Sequence, residues 1–195
     1  MDETVPISVT VNGVTVNRRV EPRQTLVDFL RYGLELTGSH VGCEHGVCGA
    51  CTVRVDGAIV RGCLMLAVQC DGSRVETIEG VAGSGVAGTG EVFDLQQAFA
   101  QENALQCGFC TPGMLLTAQD LLARKPGASS QDIREALSGN YCRCTGYHAI
   151  VEAVRKTAES RGRSDRDRKG PKLYRRERGQ AADEETPGRS WHFYR

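Results

Sequence analysis

The chain has 195 residues, 40% of them hydrophobic, and a formal net charge of zero. That length allows one large or two small domains with real cores. No apolar run reaches the roughly 18 residues of a membrane helix, and the acidic start Met1-Asp2-Glu3-Thr4 is unlike a secretory leader. The chain therefore reads as soluble and cytoplasmic, with no membrane insertion.

Ile7, Val9 and Val11 alternate with polar residues, the pattern of a half-buried strand. Asn12-Gly13 fits a tight hairpin turn, with Val14 and Val16 on the return strand. Thr25 can cap a helix whose apolar face is Leu26, Phe29, Leu30 and Leu34. Val53 and Val55, Asp56-Gly57, then Ile59 and Val60 predict a second hairpin, and Val75 to Ile78 one more strand. Residues 1–80 thus read as a small mixed sheet with one helix packed on it.

Residues 80–90 are too glycine-rich for a helix or a packed strand and read as a linker, assigned to 81–90. Beyond them the period becomes helical. Phe93, Leu95, Ala98 and Phe99 predict one helix, Met114 to Leu122 a second, and Ser130 to Leu137 a third with Ser130 as N-cap. A fourth starts near His148 and carries Ile150, Val151, Val154 and Ala158. Residues 91–160 therefore read as a four-helix unit. Residues 161–195 hold 11 basic and 6 acidic residues, leaving 13 and 18 in residues 1–160. A basic excess confined to the end argues against a nucleic-acid-binding core. Its composition reads as a disordered basic tail. The terminal Trp191-His192-Phe193-Tyr194 is read as a mobile end, with a docking peptide as the alternative.

Nine cysteines is many for a cytosolic protein, where clustered cysteines mean metal or catalysis more often than disulfides. Cys43, Cys48, Cys51 and Cys63 have the C-x4-C-x2-C spacing, with a later cysteine, of a plant-type [2Fe–2S] site. Two ferric ions, two sulfides and four thiolates sum to about −2, and reduction makes about −3. Such an anion needs donors around it. Gly42, Gly46 and Gly49 let backbone N–H groups turn inward. Cys107, Cys110, Cys142 and Cys144 form a second set, each pair just before a helix. Thr111-Pro112 and Thr145 read as caps there, so two helix N-termini would favour an anion. A four-cysteine zinc site stays open for this second set. Cys70 has no evident partner and reads as a buried structural thiol. His45 and His148 read as neighbours that tune or pack, and His40 as a surface or loop residue. The second set, with Phe109, Met114 and Tyr147 near it, is expected to be the more buried.

The motifs Gly42-Cys43-Glu44-His45-Gly46-Val47-Cys48-Gly49-Ala50-Cys51, Gln106-Cys107-Gly108-Phe109-Cys110-Thr111-Pro112-Gly113-Met114 and Asn140-Tyr141-Cys142-Arg143-Cys144-Thr145-Gly146-Tyr147 together resemble a known family. It is the iron–sulfur subunit of the xanthine oxidase and aerobic carbon monoxide dehydrogenase family of molybdenum hydroxylases. The resemblance covers about residues 5–158. It implies an α+β fold, with an N-terminal ferredoxin-like β-grasp domain followed by a C-terminal four-helix domain. It implies two [2Fe–2S] clusters held by the eight cysteines and no catalytic residue on this chain. It implies partners as well: a large subunit with a molybdenum–pterin cofactor and a medium subunit with FAD, in a dimer of heterotrimers. Electrons would pass from molybdenum to the helical-domain cluster, then to the β-grasp cluster, then to FAD. Gln106 and the loop ending in Cys144 would lie near the pterin. No G-x-G-x-x-G follows a strand in the context a nucleotide site needs, which suits an electron-transfer subunit. The substrate, carbon monoxide, an aldehyde or a heterocycle, would be set by the molybdenum subunit.

Overall fold

The hairpin over Asn12-Gly13 forms as the dipeptide demands. Both residues take positive φ, +50° and +83°, the twist that a two-residue turn between right-handed strands requires. It joins β1 (Val5–Val11) to β2 (Val14–Val20), with Val11 opposite Val14. The same chemistry recurs at Asp56-Gly57, φ +47° and +85°, between β3 (Thr52–Val55) and β4 (Ala58–Arg61). A short β5 (Arg74–Glu76) runs parallel to β1 and antiparallel to β3, which closes a five-stranded mixed sheet in the order β2-β1-β5-β3-β4. The molecule is described here from a computed structural model, over residues 4–83, 90 and 92–169, with side chains to 162. Residues 84–89 of the 81–90 linker, residues 170–195 of the tail and the Trp191–Tyr194 cluster lie outside them.

The inward side of the sheet buries Ile7, Val9, Val11, Val53, Val55 and Val75 against Leu26, Phe29, Leu30 and Cys70. The helix over this face is shorter than its apolar spacing predicts. Thr25 caps it, its Oγ1 accepting from Asp28 N–H at 3.2 Å. α1 (Leu26–Asp28) then widens into a π-turn over Phe29–Gly33 that buries Phe29 and Leu30 together. Glu35 at φ +59° reverses the chain, and Leu36 N–H reaches Leu30 O at 2.9 Å, so Leu34 lies past the helix. The strand expected from Val75 to Ile78 ends at Glu76. Asn12 stops it, accepting from Thr77 N–H at 2.9 Å. Ile78 instead opens the one-turn α2 (Ile78–Val81).

α3 (Phe93–Gln101), α4 (Thr111–Arg124), α5 (Ser130–Leu137) and α6 (His148–Lys169) enclose a second apolar core. Leu95, Phe99, Met114, Leu116, Ile133, Leu137 and Ile150 are its largest buried side chains. α4 runs through the middle with little polar surface, which is why nine of its fourteen residues are buried. The N-cap of α5 is Ser129 rather than Ser130. Its Oγ accepts from Asp132 N–H at 3.2 Å, and Asp132 accepts from Ser129 N–H at 2.8 Å, a reciprocal box that Ser130 is one residue too late to make. The described residues up to Ala158 form one compact unit. α6 continues to Lys169, beyond the point where composition suggests a tail. Between 163 and 169 the sequence has no glycine or proline, and Asp165 stands four residues before Lys169, a spacing that supports helix. No described helix is long and apolar enough to cross a membrane.

Candidate metal centres

Eight of the nine thiols gather at two places. The first lies in the loop before β3 and just after β4. Cys43 Sγ accepts from Cys48 N–H at 3.4 Å. That bond and the N–H groups of His45 and Val47 hold the Cys43 thiol down at about 6. Cys51 and Cys63 are only 2% and 8% exposed, and their thiols face each other. Burial pushes the Cys51 thiol up to about 11. The loop's left-handed positions are Glu44, Gly46 and Gly49. Gly42 is not among them, and its need is space: a Cβ there would stand 3.1 Å from Cys48 Sγ.

The second site joins the turn before α4 to the loop between α5 and α6. Cys107 and Cys144 bring their sulfurs to 3.5 Å, which holds the Cys144 thiol above its usual value. Cys110 meets Cys142, and burial takes the Cys110 thiol up to about 12. Cys142 is also desolvated, yet the Thr145 hydroxyl and N–H outweigh that and leave it lowered. Neither Thr111 nor Thr145 is the N-cap that its position in the sequence suggests. Cys110 is the N-cap of α4 and Thr111 its first residue, with a buried Oγ1 that has no partner. Thr145 caps nothing, because α6 begins three residues later at His148; its hydroxyl serves Cys142 Sγ instead, at 3.2 Å.

Each set therefore presents its thiols as two facing pairs, Cys43/Cys48 with Cys51/Cys63 and Cys107/Cys144 with Cys110/Cys142. A binuclear cluster has two irons, and a pair of thiolates for each is what it asks of a protein. Among the described residues, no group of three or more His, Cys, Asp or Glu side chains converges as a single ion needs. Two pairs of thiols, one for each iron, are the donor set that a binuclear cluster takes, so the residues fit the cluster. All nine cysteines are free thiols. Cys70 is buried apart from both sets, its Sγ 3.8 Å from Leu66 O.

Exposure runs opposite to the sequence expectation. Cys107 and Cys144 are exposed, whereas Cys51 and Cys63 are buried. Cys51 and Cys63 flank the base of the β3–β4 hairpin and pack with Val27 and Val41, while the second set lies at the N-terminal end of α4. Gln106, beside Cys107, is exposed, as are His45 and His148. The loops also carry exposed apolar side chains: Val47, Leu64, Leu105, Phe109 and Tyr141.

What the sequence does not reveal is the seam between the two loops. Tyr141 N–H donates to Cys48 O at 2.8 Å, so neighbours of the two thiol sets share a hydrogen bond. Buried Asn140 donates from Nδ2 to Gly49 O at 3.1 Å and accepts from Thr117 Oγ1 at 3.0 Å. Arg61 donates to Gly139 O at 2.7 Å and to Thr52 Oγ1 at 2.6 Å. His40 lies in a loop, as expected, and is half-buried. It stacks on Phe109 with ring centroids 4.5 Å apart, and its Nδ1–H donates to Phe109 O at 2.8 Å. A histidine 69 residues from its partner carries no local signal of that role.

Residues 9–76 match the 2Fe-2S iron-sulfur cluster binding domain, and residues 77–155 the [2Fe-2S] binding domain. The chain is 51% identical over 155 residues to the gamma subunit of caffeine dehydrogenase from Pseudomonas sp. (strain CBB1), spanning 78% of this chain and 90% of that one. It is 51% identical over 152 residues to the small subunit of nicotine 6-hydroxylase from Paenarthrobacter nicotinovorans, spanning 78% and 88%. Among solved structures, quinoline 2-oxidoreductase from Pseudomonas putida 86 matches with a TM-score of 0.74 and 47% identity, over 82% of this chain and 97% of that chain.

Proposed function

We propose, for a chain that belongs to the iron–sulfur subunits of the xanthine oxidase and aerobic carbon monoxide dehydrogenase family of molybdenum hydroxylases, that its work is to relay electrons through two [2Fe–2S] clusters. Cys43, Cys48, Cys51 and Cys63 hold one, and Cys107, Cys110, Cys142 and Cys144 the other. The observation that carries this is the arrangement of each set as two facing thiol pairs, with donors aimed at Cys43 and Cys142. When bound, the clusters take up and release one electron each. The chain's part is to supply thiolates, satisfy their charge and fix the distance between the sites.

This reading takes two domains within the compact unit, a β-grasp domain over residues 1–80 and a four-helix domain over 91–160, and the two separate apolar cores support it. The donor is a large subunit with a molybdenum–pterin cofactor and the acceptor a medium subunit with FAD, in a dimer of heterotrimers in the cytoplasm. The exposed Cys107/Cys144 pair, with Gln106 beside it, suits the entry side, since an exposed sulfur in the free chain is one a partner can approach. The electron then crosses the seam to the buried first set. Gln106 carries an amide able to donate to and accept from a pterin. Exposed Phe109 and Tyr141, 45% and 54% accessible, suit surfaces that a partner covers. Caffeine, nicotine and quinoline, named in the relatives, are nitrogen heterocycles. A substrate of that class is therefore proposed for the assembled enzyme, ahead of carbon monoxide or an aldehyde.

The test is metal content. The purified complex should contain about four iron and four acid-labile sulfide per copy of this chain, the sum of two [2Fe–2S] sites. Stoichiometric zinc in a colourless preparation refutes the reading. On reduction, two distinct paramagnetic signals should appear, because the two sulfur environments differ.

A further inference from the structure

Thr145 stands in a closed local network. Its hydroxyl donates to Cys142 Sγ at 3.2 Å, and its own N–H donates to the same sulfur at 3.4 Å. A hydroxyl has one proton, and which way it points is decided by what the oxygen accepts. Here Oγ1 accepts from Tyr147 N–H at 3.2 Å, so the proton is left for the sulfur. Tyr147 reaches this place because it takes φ +69°, a left-handed turn beside Gly146. Its phenol oxygen in turn accepts from Cys142 N–H at 2.9 Å. Three residues thus fix one proton against one sulfur. At the first site the donors to Cys43 are backbone N–H groups of Cys48, His45 and Val47, which no side-chain substitution removes.

We propose that Thr145 is a positioning residue that sets the reduction potential of the helical-half cluster through the hydroxyl proton it holds on Cys142 Sγ. This rests on the reading that Cys107, Cys110, Cys142 and Cys144 carry a [2Fe–2S] cluster. Uptake of one electron, from the partner's redox centre or from dithionite in the test, raises the negative charge shared by the sulfurs. No bond breaks and no proton leaves Thr145. A donor on sulfur stabilises the more negative state more strongly, so it raises the potential. Removing the donor makes that site a weaker electron acceptor.

The experiment is a redox titration of the assembled complex, followed by the paramagnetic signals of both clusters, with iron counted in the same samples. In Thr145→Val, and independently in Thr145→Ala, the reduced-to-oxidised ratio of the helical-half cluster at a fixed potential should fall about tenfold, a downward shift of about 59 mV for a one-electron couple. The other cluster should not move. Thr145→Ser keeps the hydroxyl and should titrate with the parent. An unmoved potential in Val and Ala with four irons present overturns this inference and leaves the cluster reading intact. A Ser variant that shifts as far as Val overturns it too, because packing rather than the proton would be responsible. Loss of the cluster in both Val and Ala makes Thr145 a folding residue and refutes the proposal. An iron count short of four in the parent instead refutes the reading beneath it.

Discussion

The backbone N–H of Tyr141 donates to the carbonyl of Cys48 at 2.8 Å, and Tyr141 immediately precedes Cys142. A thiol of each set is thereby a few bonds from one shared hydrogen bond. The bond holds because Asn140, 1% exposed, ties the same two loops through Gly49 O. The two loops are held together by this backbone bond and by the side chains of Asn140 and Arg61.

Asn140→Leu tests that seam. It removes the Asn140 Nδ2–H bond to Gly49 O, which keeps Thr52 N–H and Oγ1 as donors, and leaves Thr117 Oγ1 without its acceptor in buried surroundings. The expected cost is about 1–3 kcal/mol of unfolding free energy, measured by urea titration, chiefly from the unpaired buried hydroxyl. Magnetic interaction between the two reduced clusters should weaken as the loops loosen. A stability within about 0.5 kcal/mol of the parent, the range of ordinary surface changes, counts against a clamping role.

At Gly113, α4 lies close against the first loop. A Cβ there would lie 2.3 Å from Gly49 O, a backbone atom that cannot swing aside. Gly113→Ala should push the loops apart and lower cluster content, read as iron per chain. Gly127→Ala, where a Cβ meets nothing within 4 Å, is the control and should bind iron as the parent does. Equal iron in both variants would show that the contact is not needed.

Asp132 gives a pH dependence with a defined sign. The Lys125 ammonium, with Ser129 N–H and hydroxyl, holds its carboxyl down at about 2. A carboxyl depressed in the folded state stabilises above its unfolded value near 3.9. That contribution is lost as the pH falls from there through about 2. Asp132→Asn should melt lower than the parent at about pH 6, with the gap closing towards about pH 3. A gap independent of pH would place the effect in capping geometry alone.

Among the residues whose side chains are described, the last one of α6 in the helical core is Ala158. Ending the chain after residue 162 should therefore leave both clusters, read as iron and as two paramagnetic signals. Removing Ile150 to Ala158 as well should abolish the helical half, because Ile150, Val151, Ala153 and Val154 are all in its core. A loss of iron on the shorter truncation would assign the remainder of the chain a structural role.

Local chemistry was legible in the sequence. The Asn12-Gly13 and Asp56-Gly57 turns, the alternation of Ile7, Val9 and Val11, and the span of α5 follow from dihedral preference and period, which act over a few residues. The cysteine spacings within each loop were legible too, whereas joining Cys107 and Cys110 to Cys142 and Cys144 brings together two segments that α4 and α5 separate. Only the tertiary structure decided what surrounds the sulfurs. It gave Thr145 to Cys142 rather than to a helix, buried Cys51 and Cys63 while exposing Cys107 and Cys144, and stacked His40 on Phe109. The physical reason is sequence distance: Asn140 meets Gly49 across 91 residues, and no period or cap encodes a contact that exists only once two cores have formed and met.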